Sequence, residues 1–325
     1  MIKWRNCQAL SRCLILFKKA ENRMTGVLLL RKPKGITSHD AVLRVRKIFH
    51  TKKVGHAGTL DPFATGLLVL CLGDATRIVQ YLTECDKMYR AVMKLGERTD
   101  TQDETGHIIA RRALPALTDE EMRRVFARFT GEIQQVTPMF SARRAQGKRL
   151  HELARAGQMV EREARPVTIH RLDLLDMTLP YMRFQVECSK GTYVRALADD
   201  IGETLGCGAH LTELERLGSG RFSLDAAVSL DALADLRDDA ALRGCLLTMD
   251  QALADWPVIT LDAESARRLC NGVTLIESAA DGGEGLLRVH DEQGAFIALA
   301  RRNFSEGGAK IQPINVFVRN PANPA

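Results

Sequence analysis

A twelve-residue segment, GHAGTLDPFATG at residues 55–66, constrains the fold more than any other part of the sequence. Its glycines permit backbone angles closed to other residues and let a ligand approach the backbone closely. Pro62 pushes Asp61 toward extended conformations and removes one N–H group. An apolar run at residues 67–72 follows and is typical of a buried strand. The sequence therefore predicts a stiff loop that presents the Asp61 carboxylate beside a core strand.

The residues alone leave three interpretations of this loop open. An Asp-Pro pair in a glycine-rich loop often forms only a turn. A phosphate-binding loop would end in Gly-Lys-Ser/Thr, which is missing, and an acid at the centre of an anion site would repel the anion. A catalytic carboxylate is the third interpretation.

Apolar patterns predict further strands on both sides of the loop. Residues 27–30 precede it and residues 184–188 lie far beyond it. Residues 89–95 alternate between apolar and polar side chains, as in a strand with one buried face. These segments predict a sheet assembled from distant parts of the chain.

Capping residues predict where helices begin and end. Ser38 is expected to be the N-cap of a helix with a buried apolar face. Thr118 and Glu121 form a capping-box pattern ahead of a second helix. A third helix is expected at residues 194–205, ended by Gly206.

The length of 325 residues and an apolar content of 45% predict two domains with substantial cores. Short strands at residues 286–289 and 296–300, with glycine-rich turns, indicate a small β domain at the end. The expected organisation is an N-terminal extension at residues 1–23, a larger domain at residues 24–253 that contains an insertion at residues 139–166, and a small C-terminal domain at residues 254–325.

The insertion at residues 139–166 is basic, with seven arginines and lysines against three glutamates. Its apolar periodicity is weak, so we expect a mobile excursion with one short helix at residues 149–155.

Charge elsewhere in the chain is also uneven: residues 24–53 carry +7 and residues 231–264 carry −6. One part of the chain could therefore face phosphates, while another could not.

Residues 1–23 carry +5 of the net charge of +6 and contain an apolar run of only four residues. Such a run is too short for the core of a signal peptide. We expect a disordered or mis-started extension, because Met24 stands directly before the first strand; a mitochondrial-type presequence is the alternative.

The eight cysteines are scattered, with no C-x-x-C pair. This spacing predicts neither a zinc site nor a disulfide framework, and it favours reduced thiols in a cytoplasmic protein. No run of 18 apolar residues occurs, so no membrane association is expected.

The segment GHAGTLDPFATGLLVLCLGDATR resembles the signature of the TruB family of tRNA pseudouridine synthases. Five further blocks resemble that family in the same order: VLLLRKPKGITSHDAV, DKMYRAVMKLGERTDTQDETG, PMFSARRAQGKRLHELAR, REARPVTIHRLDLL and CSKGTYVRALADDIGETLGCGAHLTELERL. Together the blocks cover residues 24 to about 220, and the tail resembles the β domain of bacterial members.

The resemblance implies an α+β fold: a mixed, largely antiparallel sheet with flanking helices, a central RNA-binding cleft, and a β-barrel-like C-terminal domain of the PUA type. The implied reaction is isomerisation of uridine to pseudouridine in the T-loop of tRNA, at position 55, after the base is flipped out. It requires no metal or redox cofactor. The implied partner is tRNA, with no obligatory protein partner and a monomeric enzyme.

Three residues match catalytic positions of the family. Asp61 corresponds to the nucleophile, Tyr89 to the tyrosine that stacks on the uracil, and Arg195 to the basic partner of the nucleophile. The pairing is chemically sensible, because a guanidinium opposes the rise in carboxyl pKa that substrate burial causes. Without the resemblance, Tyr89 would be interpreted as a core aromatic residue.

The resemblance also implies substrate contacts. Tyr193 and Leu214 match pocket residues beside the target base, and His56 matches the histidine that fills the space the base leaves. Expected phosphate contacts are Lys32, Arg143, Lys148 and Arg149. The chain departs from the usual family pattern at Arg31, Ala57, Ala145 and His151.

Two alternatives to this enzyme are considered. The first is a non-catalytic RNA-binding or tRNA-folding protein on the same scaffold, against which the presence of Asp61, Tyr89 and Arg195 argues. The second is a subunit of a guide-RNA particle, for which partner-binding extensions would be expected.

Overall fold

The computed structural model describes residues 24–318, except residues 142, 146, 278–282 and 306–307. The expected extension at residues 1–23 lies outside the described residues. The chain forms a large unit around an eleven-stranded sheet and a small unit around a five-stranded sheet. Across the described ranges, no helix is long and apolar enough to cross a membrane.

The strands follow in chain order. They are β1 Gly26–Lys32, β2 Val54–His56, β3 Thr65–Leu72, β4 Lys87–Leu95, β5 Glu97–Thr99, β6 Ile108–Arg111, β7 Gly131–Val136, β8 Arg144–Ala145, β9 Lys148–Arg149, β10 Ala164–Thr178, β11 Tyr181–Cys188, β12 Ala209–Ser219, β13 Phe222–Ser223, β14 Val228–Ser229, β15 Leu246–Leu247, β16 Val258–Leu261, β17 Leu275–Glu277, β18 Gly285–Asp291, β19 Phe296–Ser305 and β20 Gly308–Val316.

The helices are α1 Ser38–Ile48, α2 Val79–Thr83, α3 Asp119–Arg128, α4 Leu150–Arg155, α5 Val194–Thr204, α6 Leu230–Asp235, α7 Asp239–Gly244, α8 Met249–Ala252 and α9 Ala263–Cys270. Two 3₁₀ helices lie at Gly73–Ile78 and Leu224–Ala226.

The large sheet has the order β14-β1-β3-β12-β4-β11-β10-β7. Three short strands pair beside this path: β2 with β3, β13 with β12, and β15 with β1. The pairs β1–β14 and β12–β3 are parallel and the others are antiparallel. The expected α+β fold with a mixed, largely antiparallel sheet is confirmed. Strand β12 lies between β3 and β4, although it is far from both in the sequence.

Strand β3 is buried on both faces, which explains its continuous apolar sequence. Leu68 and Leu70 pack with the helices of one face, and Leu67 and Val69 pack on the other. Leu299 of the small sheet joins this second cluster. The central strand therefore joins the two units through a shared core.

The N-cap of α1 is Thr37, and the prediction of Ser38 was wrong. The Thr37 hydroxyl accepts a hydrogen bond from the Asp40 N–H (3.0 Å), and the Asp40 carboxylate accepts one from the Thr37 N–H (2.9 Å). The Ser38 hydroxyl instead donates to the Leu60 carbonyl (3.0 Å) and accepts from the Leu60 N–H (2.8 Å). Ser38 thus ties α1 to the loop that carries Asp61.

The other helix predictions are confirmed. Thr118 and Glu121 form the capping box of α3. The helix α5 ends near Gly206, which has a φ of 77°. In the basic insertion, Met139, Leu150 and Leu153 form a small apolar cluster, and α4 corresponds to the expected short helix.

The small sheet has the order β16-β18-β19-β20-β17 and carries α9. Its β18 and β19 contain the strands expected at residues 286–289 and 296–300. Arg288 and His290 bond to Asp250 of the large unit at 2.8 and 2.9 Å. Charged contacts therefore supplement the shared apolar core between the units.

Candidate active site

A cleft of about 900 Å³ opens where the 57–64 loop meets β4, β7, β12 and the start of α5. Six of the ten predicted site residues line it: Asp61, Tyr89, Arg143, Tyr193, Arg195 and Leu214. They come from parts of the chain up to 153 residues apart, and the sheet topology brings them together.

The loop that carries Asp61 is held by hydrogen bonds on both sides. Ser38 bonds to both backbone groups of Leu60. The Gly35 N–H donates to the Pro62 carbonyl at 2.8 Å, and the Ala64 N–H donates to the Asp61 carbonyl at 3.1 Å. The Asp61 side chain is 33% exposed, so it is fixed from behind and open toward the cleft.

Arg195 pairs with Asp61 through Nε and Oδ2 at 2.9 Å, and its side chain is only 3% exposed. Its Nη1 donates to the Thr101 carbonyl at 2.7 Å, and its Nη2 donates to the Phe140 carbonyl at 2.8 Å. Nη1 also lies 3.4 Å from the Asp103 carboxylate. The guanidinium is therefore locked in one orientation.

Asp103 was not predicted from the sequence as a site residue. Its Oδ1 accepts hydrogen bonds from the Thr101 hydroxyl at 2.7 Å and from the Thr105 N–H at 3.0 Å. Asp61, Arg195 and Asp103 thus form an alternating row of charges. The only signal in the sequence was the block TDTQDETG, which carries the residue without indicating its role.

Opposing effects act on the pKa of Asp61. Burial raises it above the ordinary value of 3.8, the Arg195 cation lowers it, and the Asp103 charge raises it. Lys32 also lowers it. Because burial dominates, ionisation of Asp61 depends on the neighbouring cations.

Tyr89 and Leu214 line the cleft from two neighbouring strands of the large sheet. Tyr89 lies on β4, and burial raises the pKa of its phenol, with the Arg216 cation opposing the rise. Leu214 lies on the adjacent β12 and is buried. Tyr193 is the N-cap residue of α5, and its N–H donates to the Gln135 side chain at 2.8 Å.

The prediction that Lys32 contacts phosphate does not agree with its position. Its side chain is fully buried, and its ammonium group donates to the Ile36 carbonyl at 2.8 Å and the Pro33 carbonyl at 3.0 Å. Burial lowers the pKa of Lys32 to about 8. Lys32 is therefore a buried cation near the loop that carries Asp61.

Three predicted residues remain: His56, Lys148 and Arg149. His56 is half-buried on β2, outside the cleft lining; burial lowers its pKa, and its Nδ1 lacks a hydrogen-bond partner. Lys148 is exposed on β9. The side chain of Arg149 lies outside the described part of the structure.

Two buried cations of the cleft, Lys87 and Arg216, were also missed. Lys87 donates to the carbonyls of Thr83 and Cys85, and Arg216 donates to those of Gly58 and Thr59. Basic residues in a strand give no signal of burial, so no pattern indicated them. In the described ranges, no group of three or more His, Cys, Asp or Glu side chains is placed to hold a metal ion.

Three family models match the chain. The TruB family pseudouridylate synthase N-terminal domain covers residues 46–194, the tRNA pseudouridylate synthase B C-terminal domain covers residues 195–254, and the pseudouridine synthase II TruB C-terminal domain covers residues 257–313. Among solved structures, a Cbf5-Nop10-Gar1 complex is 26% identical with a TM-score of 0.71, covering 92% of this chain and 86% of that one. The fold and the matching family models are those of a pseudouridine synthase.

Curated relatives narrow the assignment. The tRNA pseudouridine synthase B of Burkholderia lata is 52% identical over 284 residues, covering 86% of this chain and 87% of the relative. The protein of the same name from Aromatoleum aromaticum is 46% identical over 297 residues, covering 91% and 94%. The chain belongs to the TruB family, and it is therefore an isomerase.

Proposed function

We propose that the protein isomerises uridine to pseudouridine in the T-loop of tRNA, at position 55, with Asp61 as the nucleophile. The observation that carries this proposal is the Asp61–Arg195 pair, held at 2.9 Å in an open cleft. The relatives named tRNA pseudouridine synthase B support tRNA as the substrate.

The reaction breaks the bond between ribose C1′ and uracil N1 and forms a bond between C1′ and C5. The C5 proton leaves and N1 gains a proton, so atoms and electrons balance without an oxidant or a cofactor. Asp61 attacks either the sugar or the base, or supports elimination to a glycal; each route requires an ionised, accessible carboxylate. Arg195 and Lys32 favour that ionised form.

The other walls of the cleft suit a flipped uridine. The Tyr89 ring and the Leu214 side chain provide apolar surfaces for a base. Burial raises the pKa of the Tyr89 phenol above its ordinary value, so the ring meets the base in its neutral form. Tyr193 lies beside them. We assign to His56 the role of filling the space left in the T-loop, which offsets part of the unstacking cost.

The rim of the cleft and the insertion carry the charge that an RNA backbone requires. Arg143, Arg165 and Lys190 line the cleft, and Lys148 is exposed on the neighbouring hairpin. Phosphate contacts of this kind supply salt-dependent affinity. We assign to residues 139–166 the role of a clamp on the tRNA.

We propose further that the enzyme works as a monomer in the cytoplasm, without an obligatory protein partner. In support, Asp61, Tyr89 and Arg195 of a single chain already meet in one cleft. Size-exclusion chromatography of the purified protein with and without tRNA tests this directly: a dimer, or activity that requires an added protein, would overturn it.

The main test is incubation with unmodified tRNA and mapping of pseudouridine at single-nucleotide resolution. The wild type should modify T-loop position 55. Asp61→Asn, which is nearly isosteric, should abolish turnover while tRNA affinity stays within about three-fold, because the charge serves attack rather than phosphate contact. Asp173→Asn, at a surface ion pair with Arg171, is the matched control and should be fully active.

Two outcomes would contradict the proposal. Turnover by Asp61→Asn near the wild-type rate would refute the nucleophile. A wild type that binds tRNA without modifying it would instead favour the alternative of a non-catalytic RNA-binding protein.

A further inference from the structure

Arg216 lies on β12, between β3, which follows the Asp61 loop, and β4, which contains Tyr89. In the sheet it is the register partner of Gly66 on β3 and of Tyr89 on β4. Its backbone therefore adjoins both the end of the nucleophile loop and the residue assigned to stack on the base. No role was predicted for it from the sequence.

The Arg216 side chain joins these same two parts of the site. Both Nη atoms approach the Gly58 carbonyl at 3.3 Å, and Nη2 also donates to the Thr59 carbonyl at 3.1 Å. The guanidinium carbon lies 5.7 Å from the centroid of the Tyr89 ring, within cation–π range. One planar group thus contacts the beginning of the loop and the aromatic wall.

This arrangement costs stability rather than adding to it. Arg216 is 1% exposed, its acceptors are neutral carbonyls, and its buried Nε has no partner. A buried cation without a carboxylate is less favourable than an apolar side chain of similar size. Only an arginine combines forked donors with a flat face for an aromatic ring, so a lysine could not reproduce both contacts.

The loop backbone is shaped to this guanidinium. Gly58 has a φ of 121°, and a Cβ added there would lie 3.1 Å from Nη1 of Arg216. A Cβ at Gly66 would lie 2.3 Å from the Arg216 carbonyl oxygen. Both glycines therefore permit the close approach of loop and arginine.

We propose that Arg216 is a positioning residue for pseudouridine formation: it holds the start of the Asp61 loop and the Tyr89 ring in a fixed relation, so that the carboxylate and the phenol face the same uridine. The inference rests on the proposed function. Arg216 acts through Asp61 and Tyr89, and its burial keeps it from direct contact with the RNA backbone.

The test is Arg216→Lys, which keeps the charge and loses the fork. The single-turnover rate at saturating tRNA should fall on the order of 10- to 100-fold, because misplacement of reacting groups has effects of this size. The dissociation constant for tRNA should stay within about two-fold, because the side chain is buried. Circular dichroism and thermal melting establish that the variant is folded at the assay temperature.

The matched control is Arg302→Lys, a buried arginine of the small sheet that donates to Glu277. It should lower the melting temperature without changing the single-turnover rate. Arg216→Gln, which keeps a planar donor and removes the cation and the fork, is the second variant, and it should reproduce the loss of rate with retained affinity. It also supplies the answer if Arg216→Lys does not fold.

A folded Arg216→Lys with a rate within about two-fold of wild type would overturn the inference. So would a loss of rate and affinity in equal proportion, since that is the behaviour of a residue that only stabilises the fold. A wild-type protein that forms no pseudouridine in the parallel assay would refute the proposed function instead.

Discussion

Replacing Arg195 by methionine removes the cation between Asp61 and Asp103 and leaves the two carboxylates facing each other. Breaking a buried ion pair in this way costs about 3–5 kcal/mol. We take the lower end, about 3 kcal/mol, because the Asp61 side chain is 33% exposed and water screens part of the charge. The melting temperature should then fall by about 6–12 °C, which leaves the variant folded at 25 °C.

The pH dependence of the reaction provides the sharper measurement. Burial already raises the pKa of Asp61, and Arg195 opposes the rise, so its removal raises the pKa further. Asp61, as the proposed nucleophile, would react in its ionised form, so the acid limb of the single-turnover rate should move to higher pH in Arg195→Met. Arg195→Lys keeps the cation but cannot serve all four acceptors, so its rate should fall while its acid limb stays close to that of the wild type.

The free energy of unfolding should also depend on the pKa of Asp61. A carboxyl with a raised pKa binds its proton more tightly in the folded state than in the unfolded state, so its contribution favours folding at low pH. That contribution is lost as the pH rises from the unfolded value near 3.8 through the folded pKa. The deficit in melting temperature of Arg195→Met should therefore be larger at pH 8 than at pH 5.

The assay is pseudouridine formation with enzyme in excess over tRNA, measured between about pH 5.5 and pH 9, with melting curves in the same buffers. The reasoning is refuted if the acid limb of Arg195→Met coincides with that of the wild type or moves to lower pH. An equal shift in Arg195→Lys would also refute it, because the effect would then not depend on charge.

Three further variants test other parts of the site. Tyr89→Phe keeps the stacking ring, and its single-turnover rate should fall on the order of 100-fold or more if the hydroxyl transfers a proton. An unchanged rate would mean that Tyr89 contributes only by stacking on the base. Neutralising Arg143, Lys148 and Arg149 together should weaken tRNA binding and reduce the salt slope by at most about three units, with little change in the saturated rate; an unchanged slope would refute the clamp. Gly66→Ala should lower the melting temperature, because the added Cβ would lie 2.3 Å from the backbone of the neighbouring strand; an unchanged melt would show that the strands can separate.

The local elements were predictable because short-range patterns determine them. The apolar run of β3 and the capping box of α3 contain the needed information within a few residues. The choice between Thr37 and Ser38 as N-cap was not predictable, since both residue types cap helices well. It is decided by the bonds from Ser38 to Leu60, 22 residues away.

The candidate site was predictable only in part. Asp61 and Arg195 are 134 positions apart in the sequence, and no spacing rule relates them; the family resemblance supplied the pairing. Lys32 was expected to contact phosphate, and lysine side chains are usually exposed. Strand pairing buries it instead, with two carbonyls as its acceptors.

Lys32, Lys87 and Arg216 share a property that explains why pattern analysis misses such residues and why they matter. Each is buried near the cleft and donates to backbone carbonyls. A carbonyl satisfies the donor without cancelling its charge, so the field of these cations remains directed at the cleft. Lys32 lowers the pKa of Asp61, and Arg216 lowers that of Tyr89. Because the cations are fixed before a substrate binds, they need no reorganisation when the uridine excludes water from the carboxylate.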